Sequence, residues 1–120
     1  MANRARQRAE RRGRWAELYA AAWLQAKGYA VLARRVKQPL GEIDLIARRS
    51  GVLAFIEVKQ RPTLDLAQDA VPTESWLRIS RVAANWAGRQ PQLQNLDWRY
   101  DLVAITPWAL PTHFRDYWRP

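Results

Sequence analysis

One hundred and twenty residues suffice for one domain, a globule that buries roughly two-thirds of the surface its unfolded chain exposes. Hydrophobic residues make up 48% of the chain, but no apolar run approaches the roughly 20 residues a membrane-spanning helix needs. The absence of cysteine excludes a disulfide frame or a thiolate metal site.

Net charge is +9, from 20 basic residues, 17 of them arginine, against 11 acidic ones. Arginine forks bind phosphate through two hydrogen bonds at once, so this balance favours a polyanion partner. The start, Met1-Ala2-Asn3-Arg4, leads into more arginine and not into an apolar stretch, so it does not read as a secretory signal. The expectation is a cytoplasmic protein with no membrane association.

Taken in chain order, residues 1–12 read as a flexible basic arm or frayed helix, and residues 13–120 as a single domain. Arg4, Arg6, Arg8, Arg11, Arg12 and Arg14 fall in a stretch with too few apolar residues to bury a face, and they are candidate phosphate contacts. Trp15, Leu18, Tyr19, Ala22, Trp23 and Ala26 recur at helical spacing, and Gly28 supplies a stop. Tyr29 to Val36 reads as a strand, closed by Pro39 and Gly41. Glu42 to Ala47 and Val52 to Lys59 read as a hairpin across Arg48-Arg49-Ser50-Gly51. A loop is expected from Arg61-Pro62 to Pro72, then a helix capped by Thr73 that carries Trp76, Ile79, Ala83, Trp86 and Ala87 on one face. Gly88 to Asn95 is turn-rich, Trp98 to Ile105 reads as a fourth strand, and Phe114 to Trp118 as a short closing one. This order specifies an α/β fold with a mixed central sheet of four to five strands flanked by helices.

The chemistry centres on the hairpin. Side chains alternate faces along a strand, so Glu42, Asp44 and Ile46 are expected on one face, and Leu53, Phe55, Glu57 and Lys59 on one face of the next strand. A two-residue loop at Ser50-Gly51 pairs Arg49 with Val52, sets Asp44 directly opposite Glu57 and Glu42 opposite Lys59; a four-residue loop gives a diagonal arrangement on the same face. Opposed carboxylates with Cβ atoms about 4.5–5.5 Å apart are destabilising unless neutralised, and a divalent cation neutralises them. Asp44, Glu57 and the backbone carbonyl of Val58 offer hard oxygen ligands for Mg²⁺ or Mn²⁺. Lys59 reads as a cation that positions water and stabilises developing charge, because a lysine beside two carboxylates is held protonated and makes a poor base. Glu42 takes a supporting role. The alternative is a solvated, salt-bridged hairpin face, against which stands an aspartate placed mid-strand between Ile43 and Leu45.

Gly41-Glu42-Ile43-Asp44-Leu45-Ile46-Ala47 with Phe55-Ile56-Glu57-Val58-Lys59-Gln60-Arg61 resembles the YraN or UPF0102 family, itself similar to archaeal Holliday junction resolvases of the PD-(D/E)xK, restriction-endonuclease-like superfamily. The likeness covers nearly all of the chain after Gly13. It implies that Asp44 and Glu57 are the metal-binding acids and Lys59 the catalytic lysine. It also implies that Glu17 is the first-helix acid completing the site directly or through water. Ala16 stands where such families carry glycine, and the lysine often found near Ser75 is absent; Arg78 or Arg81 could replace its phosphate contact, alongside Arg61.

The resemblance thus points to a Mg²⁺- or Mn²⁺-dependent endonuclease hydrolysing phosphodiester bonds, in DNA sooner than RNA, on branched or damaged structures of repair or recombination. Cutting a symmetric junction would call for a homodimer. The alternatives are a non-catalytic nucleic-acid-binding protein of the same fold and a protein-interaction subunit. Outside this constellation, Asp101 reads as a structural partner of an arginine such as Arg99, and the lone His113 as a hydrogen-bonding or surface residue. Trp15, Trp23, Trp76 and Trp86 read as core.

Overall fold

The computed structural model describes residues 2–120, so Met1 of the expected basic arm lies outside the described residues. Helix α1 spans Ala2–Ala26, followed by strands β1 (Ala30–Gln38), β2 (Gly41–Arg49) and β3 (Val52–Gln60). Helices α2 (Leu64–Asp69) and α3 (Thr73–Gly88), a 3₁₀ turn at Pro91–Leu93, and strands β4 (Asp97–Ile105) and β5 (Thr112–Trp118) complete the chain. The sheet has the order β1-β2-β3-β4-β5. Its neighbours are antiparallel except β3 and β4, which run parallel because the α2–α3 crossover returns the chain to the same end. A five-stranded mixed sheet with helices on both faces is the fold class read from the sequence, and it is compatible with a restriction-endonuclease-like fold.

Two apolar layers hold the helices. On one face Trp76, Ile79, Val82, Ala83 and Ala87 of α3 pack against Ile43, Ile46, Leu53, Phe55 and Leu102. On the other, Ala16, Ala20, Ala21 and Leu24 of α1 pack against Leu45, Ala54, Ile56, Val103 and Ile105. The buried stripe of α1 therefore differs from the aromatic one expected. Trp15 is 55% and Leu18 53% exposed, because the small alanines let the helix axis approach the sheet and push the large side chains to the flanks. The six arginines of the N-terminal stretch continue α1 as its exposed first half.

Helix α1 stops where glycine permits. Gly28 takes φ +92, and the N–H groups of Tyr29 and Gly28 donate to the carbonyls of Leu24 and Gln25, both at 3.0 Å. This double bond pattern satisfies the last carbonyls, and Leu24 and Tyr29 share the adjoining core. Two local expectations need correction. The stretch before Pro72 is not all loop, since Thr63 accepts from the N–H of Leu66 at 3.2 Å and caps α2. For α3 the cap position falls on Pro72, with Thr73 already helical, as proline's fixed φ suits the helix entry.

Candidate functional site

The β2–β3 turn is the two-residue form. Arg49 pairs with Val52, and the ladder runs to Leu45–Ile56. It ends one step before Asp44 and Glu57, so these residues are not a paired rung. Instead the strands separate, and Asp44 Oδ2 crosses the gap to accept the N–H of Val58 at 2.8 Å. The N–H and C=O of one residue leave an extended strand on the same edge, so the Val58 carbonyl faces this gap too. Alternation also fails on β2. Ile46 packs with Ile43 beneath α3, while Leu45 packs beneath α1, so Ile46 does not share the face of Asp44.

The neighbouring strand explains the departure. Arg34 pairs with Leu45 and Val36 with Ile43, but Arg35, opposite Asp44, is outside the ladder with φ +53. A left-handed residue inside a strand turns its side chain and loosens the local pairing. The Arg35 guanidinium thereby lies 3.6 Å from Glu17 of α1 and 3.9 Å from Glu42 of β2. One carboxylate oxygen from each of Glu17, Glu42 and Asp44 lies within 4.8 Å of the others. Glu42, expected in a supporting role, is thus a full member of the cluster. Glu57 is 8% exposed, its Oε1 has no hydrogen-bond partner, and its Oε2 lies 4.0 Å from Lys59 Nζ.

These acids are held in an environment hostile to their charge. Burial, then the charge of Asp44, pushes the Glu17 carboxyl up to about 7 against the pull of Arg35. Burial likewise raises Asp44, opposed by the Val58 N–H and by Lys59. Glu57 is raised well above the usual range by burial and by Asp44, with Lys59 opposing. Three of the 11 acidic residues of a +9 chain, Glu17, Glu42 and Asp44, converge here, with Glu57 on the adjoining strand, and among the described residues Arg35 and Lys59 are the cations that pair with them. A divalent cation would supply the missing counter-charge. The donor set fits one: all ligands are hard oxygens, three lie at bridging separations, and Glu57 Oε1 has an unused lone pair in a dry setting.

Glu17, Asp44 and Lys59 line a groove of about 780 Å³, joined there by Val58, Arg12 and Arg61. Of the other candidate phosphate contacts, Arg14 faces a neighbouring depression beside Leu18 and Leu32. Arg4, Arg6, Arg8 and Arg11 extend along the exposed start of α1. Arg78 and Arg81 belong to α3, across the sheet from the groove, where Arg78 donates to Ser75 Oγ at 3.2 Å. Sequence reasoning missed Arg35, which no pattern distinguishes from Arg34, and Trp108, which lines the groove from the β4–β5 loop.

Asp101 and His113 form a separate centre. The Arg99 fork donates to both Asp101 oxygens at 2.8 Å, His113 Nε2 lies 2.7 Å from Oδ2, and the N–H of Asp116 donates to Oδ1 at 2.9 Å. The expected pairing with Arg99 is present, and His113 has a buried hydrogen-bonding place.

A family model, described as the uncharacterised protein family UPF0102, matches residues 16–105. The chain is 46% identical to a UPF0102 protein of Paramagnetospirillum magneticum over 98% of its length and 94% of that protein. It is 49% identical to one of Maricaulis maris, covering 98% and 92%, and 50% identical to one of a Chelativorans species, covering 92% and 90%. The matched segment holds Glu17, Glu42, Asp44, Glu57 and Lys59 together, and the chain belongs to the family UPF0102.

Proposed function

We propose that this protein is a divalent-metal-dependent phosphodiesterase that cleaves nucleic acid, DNA in the first place. The observation that carries the reading is the convergence of Glu17, Glu42 and Asp44 at the point where β2 and β3 part, with Glu57 and Lys59 on the adjoining strand, inside a strongly basic chain. A binding module needs the arginines but has no use for an under-compensated acidic cluster.

Asp44, Glu57 and Glu17 would hold Mg²⁺ or Mn²⁺, with Glu42 and the Val58 carbonyl within the same gap. The cation supplies Lewis-acid charge at the scissile phosphate and makes water a better nucleophile near neutral pH. The chain's own contribution is positioning. Lys59, 4.0 Å from Glu57 Oε2, orients the attacking water and stabilises charge building on the phosphate. Arg12 and Arg61 along the groove hold the flanking phosphates. The Val58 N–H fixes Asp44, so the ligand geometry is set by the backbone and not by a free rotamer.

The purified protein with Mg²⁺ or Mn²⁺ is tested on single-stranded, duplex, flapped and four-way substrates, beside Asp44→Asn and Lys59→Ala. The expected result is cleavage of at least one substrate, reduced roughly 10²–10³-fold or more by either change. Cleavage surviving both would refute this site. Salt-sensitive binding without cleavage would leave a nucleic-acid-binding protein of the same fold.

A further inference from the structure

Trp108 is fully exposed, at 103% of its reference surface, and its backbone sits at φ +63. Both features are costly. A bulky residue in the left-handed region is a true outlier worth about 1–3 kcal/mol, and an indole in water gains nothing from the core. The next loop residues, Ala109 and Leu110, are exposed as well, with Pro111 buried behind them, so the loop is anchored while it presents the ring outward. Trp15 of α1 is 55% exposed and lies 5.2 Å from Tyr19. Trp15, Tyr19 and Trp108 all line the groove that contains Glu17, Asp44 and Lys59, with Arg12 and Arg61 among them.

We infer that Trp15 and Trp108 form a stacking platform for an unpaired base, which makes single-stranded or unpaired nucleic acid the class that this site engages. The inference rests on the phosphodiesterase reading for the chemistry at the groove, but binding can be measured apart from it. Every base offers a π-face, and that face is free only when the base has left the duplex stack. Arginines beside the rings supply the matching phosphate contacts, and a volume of about 780 Å³ is within the range of pockets that accept nucleotide-sized ligands. A duplex can touch the arginines but cannot offer a base face to the rings.

The experiment measures binding of a labelled short oligothymidylate, and of a duplex of equal length, in EDTA so that no cleavage occurs. Trp108→Ala removes only an exposed ring and leaves the fold intact. It should weaken single-strand binding roughly tenfold while duplex binding changes less than about twofold; Trp108→Phe should restore most of the loss. Trp15→Ala should act in the same direction. Equal loss on both probes, or none on either, overturns the platform. Because the assay needs no metal, an inactive protein that still shows the tryptophan-dependent preference would sink the cleavage reading alone, and a protein that cleaves but is indifferent to Trp108 would sink the platform alone.

Discussion

Asp44 and Asp101 perform the same local task with opposite surroundings. Each sits where a ladder is interrupted and crosses to accept a backbone N–H of the next strand, Val58 at 2.8 Å for Asp44 and Asp116 at 2.9 Å for Asp101. Asp101, fully buried, is then saturated by the Arg99 fork and by His113, and these partners hold its carboxyl below the usual range despite burial. Asp44 lies among Glu17 and Glu42 instead, and burial, with the charge of Glu42, raises its carboxyl against the Val58 N–H and Lys59. An acid whose partners are complete is structural. An acid packed among other acids, with lone pairs left over, is one that a bound cation would satisfy.

Removing each aspartate should therefore have opposite signs. Asp101→Ala strands a half-buried guanidinium, a buried imidazole and the Asp116 N–H, and should lower stability by about 3–5 kcal/mol. In metal-free protein Asp44→Asn keeps an acceptor for Val58 and removes a like charge, so it should be neutral or stabilising. Chemical denaturation of both variants without divalent cations checks this; comparable losses would erase the distinction between the two centres.

A smaller effect should appear on adding the cation. At about 100 times its Kd, Mg²⁺ or Mn²⁺ stabilises a folded site by about 2.7 kcal/mol, read as a rise of several degrees in Tm for a chain this size. The rise should vanish in Asp44→Asn and persist in variants of α3 such as Arg81→Ala, which lies across the sheet. A rise that survives Asp44→Asn would place the cation elsewhere.

The pairing of Asp101 with Arg99 was legible in the sequence because the two residues share a strand face two positions apart; the two-residue turn was one of two forms the sequence admitted, and the ladder it sets stops one step before the expected rung of Asp44 and Glu57. The acidic cluster was legible only in part. Its fourth acid, Glu42, depends on Arg35 leaving the β1 ladder at φ +53, a backbone choice made by tertiary packing that no residue spacing encodes. The face of α1 was misread because tryptophan outweighs alanine in any hydrophobic pattern, yet close approach of a helix to a sheet selects the smaller side chain. Exposed Trp15 is the same fact seen from the groove. Helix α2 was missed because six residues carry too little periodicity to separate it from a loop.

The two centres should also separate by pH. Asp101 has its folded pKa below its unfolded value, so its contribution is complete above about pH 4 and is lost as pH falls through the lower folded value. Glu17 is the reverse case, an acid raised from 4.5 to about 7. Between those values the folded protein binds more protons than the unfolded chain, so metal-free stability falls as pH rises from about 4.5 to 7. The full shift corresponds to about 3 kcal/mol, but Glu17 borders an open groove where water screens it, so the expected drop is about 1–2 kcal/mol. Asp44 and Glu57, also raised, add to the same limb, so Glu17→Gln should shrink it without abolishing it and leave the acid limb of Asp101 in place, while saturating Mg²⁺ should reverse the slope by favouring the ionised carboxylates. Denaturation midpoints across pH 3–8, in EDTA and in Mg²⁺, test this directly. A Glu17→Gln profile that superimposes on the parent would mean that Glu17 carries no unrelieved charge in the fold, and the proposed reason for a cation at this gap would lose its first-helix ligand.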